Sequence, residues 1–206
     1  MRKIFAYAAV VAVFMFIGVV RVAALMPVFE PVLVPLDCTA IGSCAVYVDD
    51  KPNPSVTPAG TKTDWFESIT DAVNKVKTDP DFNTIIIAQG KYSLNGTPEA
   101  MPFVFDDTDS WGVSKGIYIY GGYAEGFATR DASLYRTIID GNDAVNNVFK
   151  IENLNGKISG IEFTNVKGTG SAPVHVSNKG ATSYNFAVEY NKFYRKPKLY
   201  WNRQDQ

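Results

Sequence analysis

The sequence of 206 residues predicts an all-β solenoid, in which short strands stack on one another after a single helix. Three short β-branched or aromatic runs each end on a glycine-bearing turn, which is typical of strands with tight corners: residues 85–87, 117–120 and 137–139. Apolar segments then recur at a near-constant spacing, because Val148 and Val174 are 26 residues apart and Ile161 and Val188 are 27 apart. Fixed periods of this size indicate a solenoid.

Composition and charge restrict the function classes. The chain is 46% hydrophobic and 20% charged, which is typical of a globular chain that can bury a core. Its net charge of −1 provides no field that would attract nucleic acid or an anionic membrane. A single histidine, His175, and two cysteines exclude most His- and Cys-rich metal sites. We therefore expect oxygen ligands for any metal.

The N-terminus has the pattern of an export segment. Arg2 and Lys3 precede an uninterrupted apolar run of seventeen residues, 4–20, and small residues then favour cleavage after Ala24. We expect residues 1–24 to be a signal peptide. An uncleaved membrane anchor is the alternative, since such a run is at the short limit for a hydrocarbon core of about 30 Å. Either reading predicts a secreted or cell-surface protein that meets the membrane only through this segment.

Residues 25–44 are predicted to be a proline-rich linker with a cysteine pair. Three prolines within residues 25–35 favour a stiff, extended spacer. Cys38 and Cys44 follow, and such a pair in an exported protein is most simply a disulfide that closes a small loop. Two free thiols are the alternative.

One helix is predicted, near residues 68–77, between the first strand (45–48) with its polar loop and the later strands. Ser68 can cap it, with Asp71 completing a capping box, and Pro80 requires it to end. Its apolar residues fall on one face: Ile69, Ala72, Val73 and Val76. We expect this face to cover the first coil of the stack, because an open coil exposes unpaired strand edges.

Within the stack, alternation predicts which side chains point inward. The expected core ladder is Ile85, Ile87, Ile117, Ile119, Val148, Ile151, Ile158, Ile161 and Phe163. Asparagines are expected at the corners, where the side chain tolerates left-handed turns and can bond the local backbone: Asn142, Asn153, Asn165, Asn178 and Asn191. A row of asparagines facing a sugar is the alternative role.

Several motifs between residues 46 and 165 resemble those of one β-helix family. The segment AQGKY at 88–92 is followed by Gly-Gly-Tyr at 121–123, by Arg-Asp at 130–131 and by TIIDG at 137–141. In this order the chain resembles the right-handed parallel β-helix proteins of the pectin-lyase-like superfamily. More narrowly, it resembles the opening coils of surface proteins akin to polymorphic outer-membrane proteins. The structural-motif residues are Gly121, Gly122, Arg130, Asp131 and Gly141.

The resemblance implies a right-handed parallel β-helix over residues 45–193 with an N-terminal capping α-helix, and the repeat period predicts four to five coils. Residues 194–206 are then a basic and aromatic tail. A chain that stops before the remaining coils of a longer protein is the alternative reading of this end, because no C-terminal cap is visible.

The candidate binding residues are few, and no residue is singled out as catalytic. Asp106, Asp107 and Asp109 form an acidic run of the kind that takes Ca²⁺, with a solvated turn as the alternative. No other cofactor is expected. The aromatic candidates for glycan contact are Tyr118, Tyr120, Tyr200 and Trp201. His175 alternates with two valines, which predicts a solvent-facing strand residue.

These features favour an exported, non-enzymatic module that attaches to a cell surface or contacts glycan. Its expected partner is extracellular polysaccharide or the cell envelope, and not nucleic acid. The N-terminal part of a polysaccharide lyase or glycoside hydrolase is one alternative. The resemblance supplies no catalytic motif for it. Polygalacturonases carry Gly-His-Gly and Arg-Ile-Lys signatures, and neither occurs in this sequence. A repeat module that self-assembles through an uncapped coil is another alternative.

Overall fold

The computed structural model describes residues 44–94, 99–106, 116–167, 172–179 and 184–194. The predicted export segment, residues 25–43 of the predicted linker and all of the predicted tail after Tyr194 lie outside these ranges. Cys44 opens the first strand, but its side chain is not described, so the disulfide stays a prediction. No helix within the described ranges has the length and hydropathy to cross a membrane.

The described residues form twelve short strands, one α-helix and one 3-10 turn at Glu125–Phe127. The helix is α1 (Ile69–Thr78). The strands are β1 (Cys44–Val48), β2 (Phe82–Ala88), β3 (Gly90–Ser93), β4 (Phe103–Phe105), β5 (Ile117–Tyr123), β6 (Thr137–Asp140), β7 (Phe149–Glu152), β8 (Gly156–Ser159), β9 (Ile161–Thr164), β10 (Val174–Ser177), β11 (Phe186–Glu189) and β12 (Lys192–Tyr194).

The strands are arranged in three parallel sheets. The first sheet has the order β1-β2-β5-β8-β11, the second β4-β7-β10 and the third β3-β6-β9-β12. Apart from the pair β1–β2, every pair joins a strand to the third strand after it. The predicted β-rich architecture is confirmed.

The near-constant spacing expected from Val148 onward is wrong. Val174 pairs with Phe149, 25 residues before it, and Val188 pairs with Ile158, 30 residues before it. Register is set by keeping inward side chains in one row, because a slip of one residue would turn them outward. The intervening loops are therefore free to differ in length.

The inward side chains of all three sheets belong to one hydrophobic core, and every residue of the predicted core ladder is buried. The row of the first sheet consists of Val46, Ile85, Ile119 and Ile158, which are 0% exposed and follow one another in register. The second and third sheets contribute phenylalanines, since the rings of Phe149 and Phe163 meet edge to face at 6.2 Å.

Helix α1 begins and ends as predicted. The Ser68 hydroxyl accepts the N–H of Asp71 at 3.1 Å and donates to the Asp71 carboxylate at 2.8 Å. The reciprocal capping bond thus runs to the hydroxyl and not to the backbone of Ser68. The helix ends at Thr78, ahead of Pro80, and its buried face packs against β1, β2 and β4: Ile69, Ala72, Val73 and Val76.

Glu99 adds a carboxylate to the start of α1 from a distant part of the chain. One carboxylate oxygen accepts the Ile69 N–H at 2.8 Å, and the other accepts the Thr70 N–H at 2.8 Å and the Thr70 hydroxyl at 2.7 Å. An anion at a helix N-terminus is stabilised by the free N–H groups there. Burial nevertheless raises the pKa of Glu99, and these hydrogen bonds offset only part of that effect.

The asparagine corners are partly as predicted. Left-handed backbone occurs at three of them: Asn142, Asn153 and Asn165. Asn178 and Asn191 also lie at corners, after β10 and between β11 and β12, but without left-handed backbone, which Tyr190 takes beside Asn191. Asn191 instead bridges neighbouring backbone, accepting the Ile161 N–H and donating to the Ile158 carbonyl, both at 2.9 Å.

Ile139→Ala should lower the free energy of unfolding by about 2–5 kcal/mol, because it leaves a cavity in the shared core. Ile138→Ala is the matched control: Ile138 faces outward on the same strand and is only half-buried, so a loss below about 1.5 kcal/mol is expected. Urea unfolding of both variants measures the difference. Equal losses would contradict the assigned inward row.

Glu99→Gln should change how stability depends on pH. The pKa of Glu99 is raised above 4.5, so the folded chain holds this proton more tightly than the unfolded chain. Its contribution is complete below about pH 4.5 and is lost as the pH rises through the folded-state pKa. The stability difference between wild type and Glu99→Gln should therefore fall over that range in urea unfolding.

Asp131→Asn supplies a control of opposite sign. Hydrogen bonds from the Ser133 hydroxyl and backbone lower the pKa of Asp131 below 3.8, so its stabilising contribution is lost as the pH falls through the folded-state pKa. A Glu99→Gln difference that is flat or rises with pH would refute the assignment for Glu99.

Candidate functional site

The outer face of the first sheet carries the two described tyrosines that the sequence predicts as glycan contacts. Ile117 and Ile119 of β5 point into the core, so Tyr118 and Tyr120 point outward and are partly exposed. Parallel register extends each tyrosine into a row across the sheet. One row is Ala45, Thr84, Tyr118, Lys157 and Ala187, and the next is Tyr47, Ile86, Tyr120, Ser159 and Glu189.

A second, smaller apolar cluster covers part of this outer face. The Phe127 ring meets Tyr47 edge to face at 5.0 Å and Trp65 edge to face at 6.5 Å. These rings pack over Ile86 together with Tyr120. Phe127 has a φ of 58°, which is unfavourable for a bulky residue. The strain indicates that packing of this ring determines the path of its loop.

Arg130 connects the covering loop to the sheet. Its Nε donates to the Gly121 carbonyl at 2.9 Å and its Nη2 donates to the Ser159 hydroxyl at 3.0 Å. The guanidinium also lies 5.3 Å from the ring centre of Tyr120 and 5.8 Å from that of Tyr123. Hydrogen bonds and cation–π contacts thus hold β5, β8 and the loop together.

The Gly-Gly motif allows close approach of backbone on both sides of β5. A Cβ on Gly121 would lie 2.6 Å from the Gly160 carbonyl oxygen, and Gly122 has a φ of 83°, which favours glycine. The Gly122 N–H donates to the buried Thr137 hydroxyl at 2.9 Å. That hydroxyl lies 3.0 Å from the Ala88 carbonyl, to which it donates. Thr137 therefore links the first and third sheets.

Asp131 and Gly141 have structural contacts of their own. One Asp131 oxygen accepts the Ser133 N–H at 2.9 Å and the Ser133 hydroxyl at 2.6 Å, which fixes the loop after Arg130. Gly141 is buried and donates its N–H to the Thr164 carbonyl at 2.9 Å. Arg130 and Asp131 thus have separate hydrogen-bond partners, and this arrangement offers no acid–base pair.

Ion pairs join neighbouring strands on the outer faces of the sheets. Near Tyr118, the Lys157 ammonium lies 2.5 Å from the Glu189 carboxylate. Among the described residues, Lys91 of β3 pairs with Asp140 of β6. Arg136, just before β6, pairs with Glu162 of β9, and Lys179, just after β10, pairs with Glu152 of β7. A ligand that approaches Tyr118 therefore meets an aromatic ring beside a paired cation and anion.

Asp49 is a buried acid beside the covered part of this face. It is 1% exposed; one oxygen accepts the Lys51 N–H at 3.2 Å and the other has no hydrogen-bond partner among the described residues. Burial raises its pKa, and the charges of Asp50 and Glu125 raise it further. Asp49 therefore stays protonated to a higher pH than an ordinary aspartate.

The other sequence-predicted sites are described only in part. Asp106 follows β4 and is half-buried, whereas Asp107 and Asp109 lie outside the described residues, as do Tyr200 and Trp201. Within the described ranges no group of three His, Cys, Asp or Glu side chains is arranged to hold a metal ion. The acidic run therefore stays a predicted calcium site.

His175 is exposed on β10, as predicted for a solvent-facing strand residue. Alternation places the neighbouring Val176 inward, in register with the fully buried Ile151, yet Val176 is 43% exposed. The reason is that β10 is the last described strand of its sheet.

Sequence reasoning missed several residues of this outer face. Tyr47 could have been predicted, because alternation along β1 places its side chain on the face opposite to that of Val46 and Val48. No sequence pattern identifies Trp65 and Phe127, because both lie outside regular strands and reach this face only through tertiary packing.

No protein-family model matches this chain, and neither a curated protein nor a solved structure matches it.

Arg130→Gln should lower the free energy of unfolding by about 1–3 kcal/mol, because it removes charge-assisted hydrogen bonds and the contacts with two tyrosine rings. Lys51→Gln is the control: the side chain of Lys51 is 53% exposed and lies 3.9 Å from Asp50, so little change is expected. Urea unfolding followed by circular dichroism measures both. An unchanged midpoint for Arg130→Gln would show that the loop is held by other contacts.

Proposed function

We propose that this chain is an exported, non-enzymatic parallel β-helix that contacts carbohydrate at a cell surface through Tyr118 and Tyr120. The single observation that carries the proposal is the row arrangement of the first sheet. It presents two tyrosines on one outer face beside the Lys157–Glu189 ion pair. Aromatic faces offer flat apolar contact, and charged neighbours offer hydrogen bonds, which together suit a sugar ring.

The strand pairing supports the β-helix. Three consecutive strands, such as β5, β6 and β7, belong to three different sheets, and the next three add to the same sheets in parallel. This is the pairing of a chain that winds through three faces per coil. The right hand of the coil is proposed from the general preference for right-handed parallel crossovers.

The position of α1 supports a capping role for this helix. Its buried face packs against β1, β2 and β4, and both β1 and β4 are edge strands of their sheets. A helix in this position protects strand edges from pairing with other chains. Glu99 and Ser68 stabilise the start of the helix there.

The two tyrosines are suited to neighbouring sugar rings. Residues two apart on one face of a strand are separated by about 6.6 Å, since each residue advances the strand by about 3.3 Å. Tyr118 lies outside the smaller apolar cluster, whereas Tyr120 packs against it and holds the Arg130 guanidinium over its ring. Tyr118 is therefore the more accessible ring for a sugar, whereas the ring of Tyr120 is held in place by the apolar cluster and by Arg130.

Tyr118→Ala should weaken carbohydrate binding about two- to tenfold. This is the loss in affinity that corresponds to removing an aromatic contact of about 0.5–1.5 kcal/mol. The measurement is isothermal titration of the full chain with cell-wall oligosaccharides that bind the wild type on a glycan array. Tyr194→Ala is the matched control, because Tyr194 is an exposed tyrosine of the third sheet, outside this face. Loss of binding in both variants, or in neither, would reject this face as the contact surface.

The chain by itself should cleave no polysaccharide. Hydrolysis needs two carboxylates placed on opposite sides of the bond, and lyase chemistry needs a base poised against a sugar C–H. Purified chain incubated with pectate, alginate and mixed cell-wall glycans, with and without Ca²⁺, should give neither unsaturated products nor new reducing ends. Release that is lost when Asp106, Asp107 and Asp109 are replaced by alanine would establish the enzymatic alternative instead.

A further inference from the structure

Two acidic side chains meet at a corner between β1 and β3 that the proposed carbohydrate contact does not use. Asp49 and Asp50 follow β1 directly. One oxygen of Asp50 accepts the N–H of Lys91 in β3 at 3.1 Å, which brings the two strands together at this point. Asp49 and Asp50, with Gly90 and Tyr92 beside them, are here called the acidic corner.

Each carboxylate of the acidic corner has one buried oxygen without a hydrogen-bond partner among the described residues: Asp49 Oδ2 and Asp50 Oδ1. Asp49 as a whole is 1% exposed. The Lys51 ammonium lies 3.9 Å from Asp50 Oδ1, beyond hydrogen-bond distance, and its side chain is 53% exposed. Buried acceptors without a donor are rare in folded proteins, because they lose their hydration without compensation. These two oxygens therefore point to a ligand.

Hydrogen bonds and packing orient both carboxylates. The Lys51 N–H donates to Asp49 Oδ1 at 3.2 Å, which leaves Oδ2 for a ligand. On Asp50 the Lys91 N–H holds Oδ2, which leaves Oδ1. A Cβ on Gly90 would lie 2.5 Å from Asp50 Oδ2 and 2.9 Å from Oδ1, so glycine is required for the carboxylate to approach the backbone this closely.

The acidic corner also concentrates negative charge. Burial raises the pKa of Tyr92 well above its usual value, and the charges of Asp50 and Asp49 raise it further, so both carboxylates lie near the Tyr92 hydroxyl. The charge of Glu125 in the covering loop acts on Asp49 as well. A water molecule would offer hydrogen bonds to the two oxygens but would leave this charge uncompensated. A cation satisfies the oxygens and offsets the charge at once.

We propose that a Ca²⁺ ion binds at the acidic corner through Asp49 Oδ2 and Asp50 Oδ1, with water completing its coordination. Ca²⁺ takes carboxylate oxygens in flexible geometry, whereas Mg²⁺ demands a near-ideal octahedron. The ion binds the ionised form of Asp49, because its charge offsets the cost of burying that carboxylate. Since only two carboxylates contribute, the expected Kd is on the order of 10⁻⁴–10⁻³ M. This site is independent of carbohydrate binding.

The test is isothermal titration of Ca²⁺ into the full chain in which Asp106, Asp107 and Asp109 are replaced by asparagine. This background removes the other predicted calcium site, and it should still bind one Ca²⁺ ion. Adding Asp49→Asn or Asp50→Asn should weaken binding at least about tenfold, because each change removes a charged ligand.

Asp81→Asn in the same background is the matched control. Asp81 is an exposed acid in the turn before β2, so its replacement should leave Ca²⁺ binding unchanged. Urea unfolding gives a second readout: about 10 mM Ca²⁺ should raise the midpoint of the background chain above its value in EDTA, because the ion binds only the folded state. The Asp49→Asn and Asp50→Asn variants should show no such rise. Circular dichroism in EDTA confirms that each variant is folded.

Three results would overturn the proposal. One is a background chain that binds no Ca²⁺ and has the same unfolding midpoint in Ca²⁺ and in EDTA. A second is binding that neither Asp49→Asn nor Asp50→Asn weakens. A third is an equal loss in Asp81→Asn, which would indicate a general effect of negative charge. Because Asp50 is less buried than Asp49, Asp50→Asn carries the test if Asp49→Asn fails to fold.

Discussion

Parallel pairing is the constraint on which the rest of this structure depends. Two strands joined by a short turn can pair only antiparallel, so a chain that pairs all its strands in parallel has to leave a sheet and return to it. Here the chain returns after two intervening strands, from β5 to β8 and from β8 to β11. The intervening strands form the other two sheets, which explains why one core serves all three. Inward isoleucines, corner asparagines and close-packed glycines are consequences of this path.

Local sequence features predict the elements but not how they meet. Ser68 and Pro80 determine the ends of α1 through capping and through the conformational restriction that proline imposes, both of which act within a few residues. Alternation likewise identifies Ile117 and Ile119 as inward residues. Register is different, because it depends on loops of unequal length. For this reason the expected match of Val188 with Ile161 gives way to a match with Ile158.

The candidate site shows the same division between local and distant information. Tyr118 and Tyr120 are identifiable as outward residues from β5 alone, whereas the partners of Arg130 come from Gly121 and Ser159 on two different strands. An Arg-Asp dipeptide in a sequence suggests a charged pair. In the folded chain Arg130 instead joins two strands and Asp131 fixes its own loop. The Arg-Asp motif thus stabilises the fold. The polar and aromatic groups exposed on this face come instead from Tyr118, Tyr120 and Lys157.

The pairing order also bears on how the chain acquires its structure during synthesis. Every described strand after β1, apart from β3 and β4, pairs with a strand that precedes it, as Phe163 pairs with Ile139 and Ile139 with Tyr92. A chain emerging from its N-terminus can therefore dock each new strand on a surface already in place. Growth in this direction keeps the unfinished apolar end small at every moment, because only the newest strands are uncovered. A chain of this design is suited to folding in the order in which its strands emerge during synthesis.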